Sequence, residues 1–319
     1  MTSAQKKMGL VLIVQVALIL LFQSPLRGTS TRATATTLFP ELDAETVSRV
    51  RLSDAEEDVV LTREDGRWSL EEHGGFPADQ QKVDELIRDL AGLEVRRPIV
   101  RSSKYHSAFK VKDNEHEGRV RVWSDPGGKP VADLIVGNSG SYRASRVRRS
   151  GDSEVYEVSG LAAYDVRPNA GSWARSKLVE AAADAVKGVS IINSGGSLQL
   201  ARNESGWTAG ETTLDSSKVD ALVRTLTNLS ITAPLGPSSE HGPTADDAVA
   251  SATLEWSETI DGAEIDRRTV ILIGDKRPDD DTRRSITVKG SGFSGEIWDS
   301  TVKQLIEKSL DDLALQNDS

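Results

Sequence analysis

Apolar and polar residues alternate with a period close to two along residues 47–70. Val50 and Leu52, then Val59 and Leu61, then Trp68 and Leu70 each fall on one face of an extended chain, with Val47 just ahead of the first pair. Asp65-Gly66 separates the last two runs and suits a two-residue hairpin turn. This spacing predicts strands joined around residues 54–58 and 65–66. The period then lengthens to about 3.6. Val83, Leu86, Ile87, Leu90 and Leu93 fall at i, i+3, i+4, i+7 and i+10, the stripe of an amphipathic helix. Asp79 stands at the N-cap position and Pro98 closes the region beyond it.

The same pattern returns later in the chain. VRLSDAEEDVVLTREDGRW, from Val50, reappears as VSIINSGGSLQLARNESGW from Val189, at an offset of 139 that carries Leu61 onto Leu200, Arg63 onto Arg202 and Trp68 onto Trp207. The helical stripe returns at an offset of 136, as Val219, Leu222, Val223, Leu226 and Leu229, with Asp215 as the cap and Pro234 beyond. Strand-like runs follow at 119–123, 132–136 and 154–158, and again at 252–256, 269–273, 285–288 and 296–298. Gly137 and Gly274 correspond, each ending a run before a polar turn, and short helices are predicted at 161–166 and 302–310. The expected fold class is therefore α+β, with two tandem repeats, 44–182 and 183–319. Each is an antiparallel sheet carrying one main helix on one face.

Ahead of the repeats, Lys6 and Lys7 precede an apolar run at 8–22 in which only Gln15 is polar. Extended to Leu26 with the lysines snorkelling, it approaches the ~20 residues that a membrane span needs. It reads as a transmembrane anchor or a cleaved signal segment over 8–26, behind a cytoplasmic tail at 1–7. Ala33-Thr-Ala35 is the best cleavage pattern, and its distance downstream favours the anchor. Positive flanks stay inside, so the expected location is the inner membrane, single-pass, with the bulk of the chain in the periplasm or outside the cell. Residues 27–43, rich in Ser and Thr, read as a flexible linker.

The formal charge is −10, and residues 1–28 hold Lys6, Lys7 and Arg27 and no acid, so the remainder carries −13. That balance disfavours nucleic acid and anionic membrane surfaces as partners. The chain has no cysteine, which excludes thiol catalysis, thiolate metal sites and disulfides.

A Trp after a turn, then a capped helix reading ADQQKVDELIRDLAGL or LDSSKVDALVRTLTNL, behind one N-terminal apolar segment, resembles the DUF4340 family. The resemblance extends over nearly all of the exported part, in both copies. It implies a membrane-tethered, non-catalytic periplasmic subunit, similar to auxiliary components of gliding-motility-type ABC transporters. This chain has no ATPase motif and no multi-spanning segment, so such a role needs separate permease and ATPase chains as partners.

Motifs that carry chemistry are few. Gly290-Ser-Gly292-Phe-Ser-Gly295 matches the dinucleotide pattern GxGxxG, but too little chain follows it for a helix, a parallel strand and a ribose-binding acid. A Gly-rich hairpin is the expectation. Asp275, Asp279, Asp280 and Asp281 invite a Ca²⁺ reading, against which Lys276, Arg277, Arg283 and Arg284 are interleaved, so a solvated hairpin tip is expected. His73, His106, His116 and His241 form no zinc spacing. The basic run Arg143–Arg149 reads as an edge strand or solvated face. Trp68 and Trp207 read as core, and core is also the default for Trp123, Trp173, Trp256 and Trp298. No catalytic, cofactor-binding or metal-binding residue is assigned, and no cofactor. The expected function is a non-catalytic, membrane-anchored accessory or scaffold subunit of an ABC-transporter-type envelope complex. The alternatives are an envelope glycan or polymer binding module, and a hydrolase with dispersed carboxylates.

Overall fold

The computed structural model describes residues 35–141 and 144–315. The predicted tail and anchor at 1–26 lie outside the described residues, among which no helix is long and apolar enough to cross a membrane. The first half runs β1 (Thr36–Thr37), β2 (Arg49–Ser53), β3 (Asp58–Glu64), β4 (Arg67–Leu70), β5 (Phe76–Pro77), a long helix (Gln80–Ala91), β6 (Glu94–Val95), β7 (Val111–Lys112), β8 (Glu115–His116), β9 (Gly118–Trp123), β10 (Ala132–Ser141), β11 (Ala144–Arg149) and β12 (Tyr156–Ser159). The second runs β13 (Val186–Asn193), β14 (Gly196–Asn203), β15 (Gly206–Ala209), β16 (Thr212–Thr213), a long helix (Ser216–Thr227), β17 (Ala233–Pro237), β18 (Ala250–Ile260), β19 (Ala263–Lys276), β20 (Arg283–Val288), β21 (Phe293–Trp298) and a shorter helix (Asp299–Ile306).

These strands build two large antiparallel sheets, ordered β12-β11-β10-β9-β2-β3-β4-β5 and β16-β15-β14-β13-β18-β19-β20-β21-β17. Apart from β17, the second order repeats the first. The counterpart of the β17–β21 pairing in the first half is a lone bridge, Val100 to Val155, which matches Gly236 to Ser294. The alternating inward residues produce the sheets: Val50 and Leu52 of β2 and Val120 and Val122 of β9 are buried while the residues between them face out. The Asp65-Gly66 turn has positive φ at both residues (49° and 77°), as a two-residue hairpin requires.

Each long helix lays its predicted stripe on the sheet. Val83, Leu86, Ile87 and Leu90 are buried in the first, and Val219, Leu222, Val223 and Leu226 in the second. Burying one such side chain stabilises by roughly 1.5–3 kcal/mol. Both predicted caps form: Asp79 Oδ1 accepts from the Lys82 amide (3.1 Å), and Asp215 Oδ1 from those of Ser217 and Lys218 (2.9 and 3.3 Å). A second tie holds each helix down. The buried Trp68 indole N–H donates to Asp84 Oδ1 at 2.9 Å, and the Trp207 indole N–H to Asp220 Oδ1 at 2.9 Å.

Hydrogen bonds at the ends of each copy also repeat. Leu38 N donates to Leu93 O (2.8 Å), as Leu178 N does to Leu229 O (3.1 Å). Asp79 N donates to Trp173 O (2.8 Å), as Asp215 N does to Leu313 O (2.9 Å). Two expectations change as a result. The linker read over 27–43 is not a linker throughout, because β1 pairs with β6 and Leu38, Phe39 and Leu42 are buried. By the same bonds the second copy opens near Ser176, a few residues before 183. The apolar residues responsible are too sparse to show periodicity, so sequence alone hid them.

The halves meet tightly. Phe76 and Phe293 pack edge to face with centroids 5.3 Å apart, and buried residues of both halves belong to one continuous core. A side chain at Gly171 would place its Cβ 2.0 Å from Thr232 O, and one at Gly74 2.7 Å from Pro237 Cδ.

Asp84→Ala and Asp220→Ala each leave a buried indole N–H unpaired and are expected to cost about 1–3 kcal/mol. Asp79→Ala and Asp215→Ala should cost about 1 kcal/mol each. Urea unfolding of the four variants, with matching losses in the two copies, checks this.

Candidate functional site

Chemistry shared by both copies is structural. In each, an arginine from the second strand stacks on the buried tryptophan, Arg63 at 5.7 Å from the Trp68 ring and Arg202 at 5.4 Å from Trp207, beside the helix carboxylate. Arg202 also pairs with Asp220 at 3.4 Å. Each cluster ties strand, tryptophan and helix together.

The sequence motifs resolve as follows. Gly290 and Gly292, with φ of 88° and 79°, form the turn between β20 and β21; a strand follows, not a helix, so no helix N-terminus is available for a pyrophosphate. Three of the four loop acids are held by the interleaved bases. Asp279 pairs with Arg277 (3.5 Å), Asp280 with Arg283 (3.3 Å) and Asp275 with Arg284 (3.6 Å), while Asp281 is exposed. The network reaches further than the hairpin tip. Arg284 Nε donates to Asp299 Oδ1 (2.5 Å), Arg277 and Arg283 both approach Glu296 (3.3 and 3.4 Å), and Arg283 lies 4.2 Å over the Trp298 ring. His106 is buried against Ser153 O (3.0 Å) and His116 contacts Lys112 O (3.1 Å), while His73 and His241 both lie beside Gly236. Among the described residues no group of His, Asp and Glu is placed to hold a metal ion.

The basic run is not an edge. Arg143 lies outside the described residues, but β11 pairs on both sides, with β10 and β12. Arg148 is 2% exposed and donates to Val111 O (2.7 Å), Asp152 O (3.1 Å) and Asp113 Oδ2 (3.0 Å). It clamps the loop that crosses the sheet, a long-range contact that a local charge pattern cannot reveal. Of the tryptophans, Trp68, Trp173 and Trp207 are core, Trp123 and Trp256 half-buried, and Trp298 is 43% exposed, which departs from the core default.

The copies diverge on the outer faces of the sheets. On the first, Arg49 and Arg51 of β2 and Arg119 and Arg121 of β9 all point outward, with Arg51 directly opposite Arg121. Arg49 pairs with Glu71 (3.2 Å), Arg51 with Asp58, and Arg119 with Asp133 (2.7 Å). Arg121 has no ion-pair partner among the described residues, and burial, then the guanidiniums of Arg119 and Arg51, push it below the usual arginine range. The register places Gly188, Ser190, Ser251 and Thr253 at the same four positions of the second face. There the face opens into a groove of about 880 Å³ lined by Ile192, Thr253, Arg268, Val270 and Lys289 among others. A second hollow of about 410 Å³ adjoins it, sharing Thr253 and Arg268. The signal for the first face was legible: arginine at every second residue in 49–51 and 119–121. The groove had no signal, because small residues mark space only once neighbours are known.

The family described as "Domain of unknown function (DUF4340)" matches residues 68–254. The chain belongs to the DUF4340 family. The DUF4340 match opens at Trp68 and ends within β18, so it takes in all three buried tryptophans, both long helices and both capping aspartates. It falls short of the expected extent, leaving out β19 to β21 and their ionic network. No curated protein and no solved structure matches this DUF4340 chain significantly.

Arg284 and then Lys276 hold Asp299 below the ordinary carboxylate range. A depressed folded pKa contributes stability above the unfolded value, near 3.9, that is lost as pH falls through the folded one. Asp299→Asn is therefore expected to flatten the stability–pH curve below about pH 4, leaving the curve above it parallel to that of the parent. Thermal melts from pH 2 to pH 7 check the shape.

Proposed function

We propose that this protein is a non-catalytic accessory or scaffold subunit of an ABC-transporter-type envelope complex. It is tethered to the inner membrane by residues 8–26 and presents its two copies outside the cytoplasm. The observation that carries the reading is where the chemistry lies. The polar ties that recur in both copies, Trp68 to Asp84 and Trp207 to Asp220, are internal, and the broad outer faces of the sheets carry residues that differ between the copies. Faces of that kind suit contact with another protein. The resemblance to transporter accessory components points the same way, while the DUF4340 family itself is described only as a domain of unknown function. The exposed aromatics Tyr105, Tyr164 and Trp298 lie singly on different elements, which gives a glycan-stacking function little to work with.

Affinity purification of the full-length protein from gently solubilised native membranes, followed by mass spectrometry, tests the proposal. Co-recovery of a permease and an ATPase is expected, with loss of both when residues 1–28 are replaced by a cleavable signal. Recovery of the protein alone, at the size of a soluble monomer, would sink the reading.

A further inference from the structure

The groove on the second face exists because of specific residue differences between the copies. In the first copy Arg119 donates through Nε and Nη2 to Asp133 (2.8 and 2.7 Å) and through Nη2 to Ser150 Oγ (3.1 Å), so guanidinium and carboxylate fill the space over β9 and β10. Backbone bonds identify the counterparts. Arg119 lies between Ser53 and Ile135 as Ser251 lies between Ile192 and Leu272. Ser150 N donates to Asp133 O (2.9 Å) as Lys289 N does to Val270 O (2.8 Å). So Arg119, Asp133 and Ser150 have become Ser251, Val270 and Lys289. The filling is gone, and an apolar floor with a cation beside it remains.

That surface is unusual for this protein. Ile192 is 57% exposed, and Val270 is half-buried beside the hydroxyls of Ser251 and Thr253. Arg268 and Lys289 are exposed at the rim, and neither forms an ion pair among the described residues, although Glu255 lies across the strand from Arg268. On a chain with a net charge of −10, two unpaired cations around an apolar strip call for anionic groups from outside. The first copy shows the chemistry that fits over these strands: a carboxylate gripped by a cation. We propose that the groove docks a segment of a partner protein that places an apolar side chain against Ile192 and Val270, with carboxylates reaching Arg268 and Lys289. The proposal shares with the accessory-subunit reading only the requirement for a protein partner; that partner need not belong to a transporter.

A photo-crosslinking amino acid placed at Ile192 or at Val270 of the full-length protein, irradiated in native membranes, tests it. The expected adduct is with a different protein, at a peptide carrying Asp or Glu beside apolar residues. Its yield should fall about tenfold in the Arg268→Glu, Lys289→Glu double variant, whose exposed positions leave the fold intact. With the crosslinker at Ile192, Ser251→Arg with Val270→Asp, which restores the Arg119–Asp133 filling of the first copy, should abolish it. An adduct with lipid or with a second copy of this chain overturns the proposal. So does a yield indifferent to charge reversal, or no adduct above that from a crosslinker at the exposed hairpin residue Ile260. An adduct with a protein unrelated to transport, obeying the charge test, upholds the docking site while counting against the transporter reading.

Discussion

A buried indole N–H must find an acceptor, and in both copies the acceptor is on the long helix. Trp68 and Trp207 are almost fully buried, and the carboxylates of Asp84 and Asp220 meet their N–H groups at 2.9 Å. An unpaired polar group there would cost free energy comparable to the gain from burying a large side chain. The apolar stripe alone would let the helix slide or rotate over the sheet, since hydrophobic contact has no direction. The indole bond removes that freedom. With the helix placed, its capping aspartate reaches the chain that closes the copy, at Trp173 or Leu313, and its C-terminal end meets the chain that opens it, at Leu38 or Leu178.

Local periodicity made part of this legible. Alternation located most sheet strands, and the 3.6-residue period with its aspartate cap located both helices, because those signals depend on neighbours in sequence. What escaped depends on neighbours in space. Asp84 and Asp220 read as ordinary polar helix positions until the tryptophans are laid beside them. Arg148 looked solvated among basic residues, yet a crossing loop buries it. The strand Ala233–Pro237 was hidden by its two prolines, which read as breakers. Prolines are tolerated there because the strand is the last of its sheet and needs hydrogen bonds on one side only. The faces divided the same way: the alternate arginines at 49–51 and 119–121 stand in the sequence as a pattern that went unread, whereas a groove made of serine, threonine and valine leaves no mark there.

Duplication gives this divergence its meaning. Two copies with one topology share the same internal ties, so neither outer face is needed to hold its sheet together. The first face carries arginines directly opposite one another, an arrangement that costs stability in a sheet. The second does without them at the same register. Charge on one face and space on the other are therefore differences the fold tolerates and does not require.

The seam between the halves has a mechanical consequence. At Gly171 and Gly74 the two halves approach so closely that a single methyl group would collide with the other side's backbone carbonyl or proline ring. Rings of Phe76 and Phe293 interlock beside them. A swivel at this seam would have to part those rings and open the core that the two halves share, so torque applied to one sheet is expected to pass into the next.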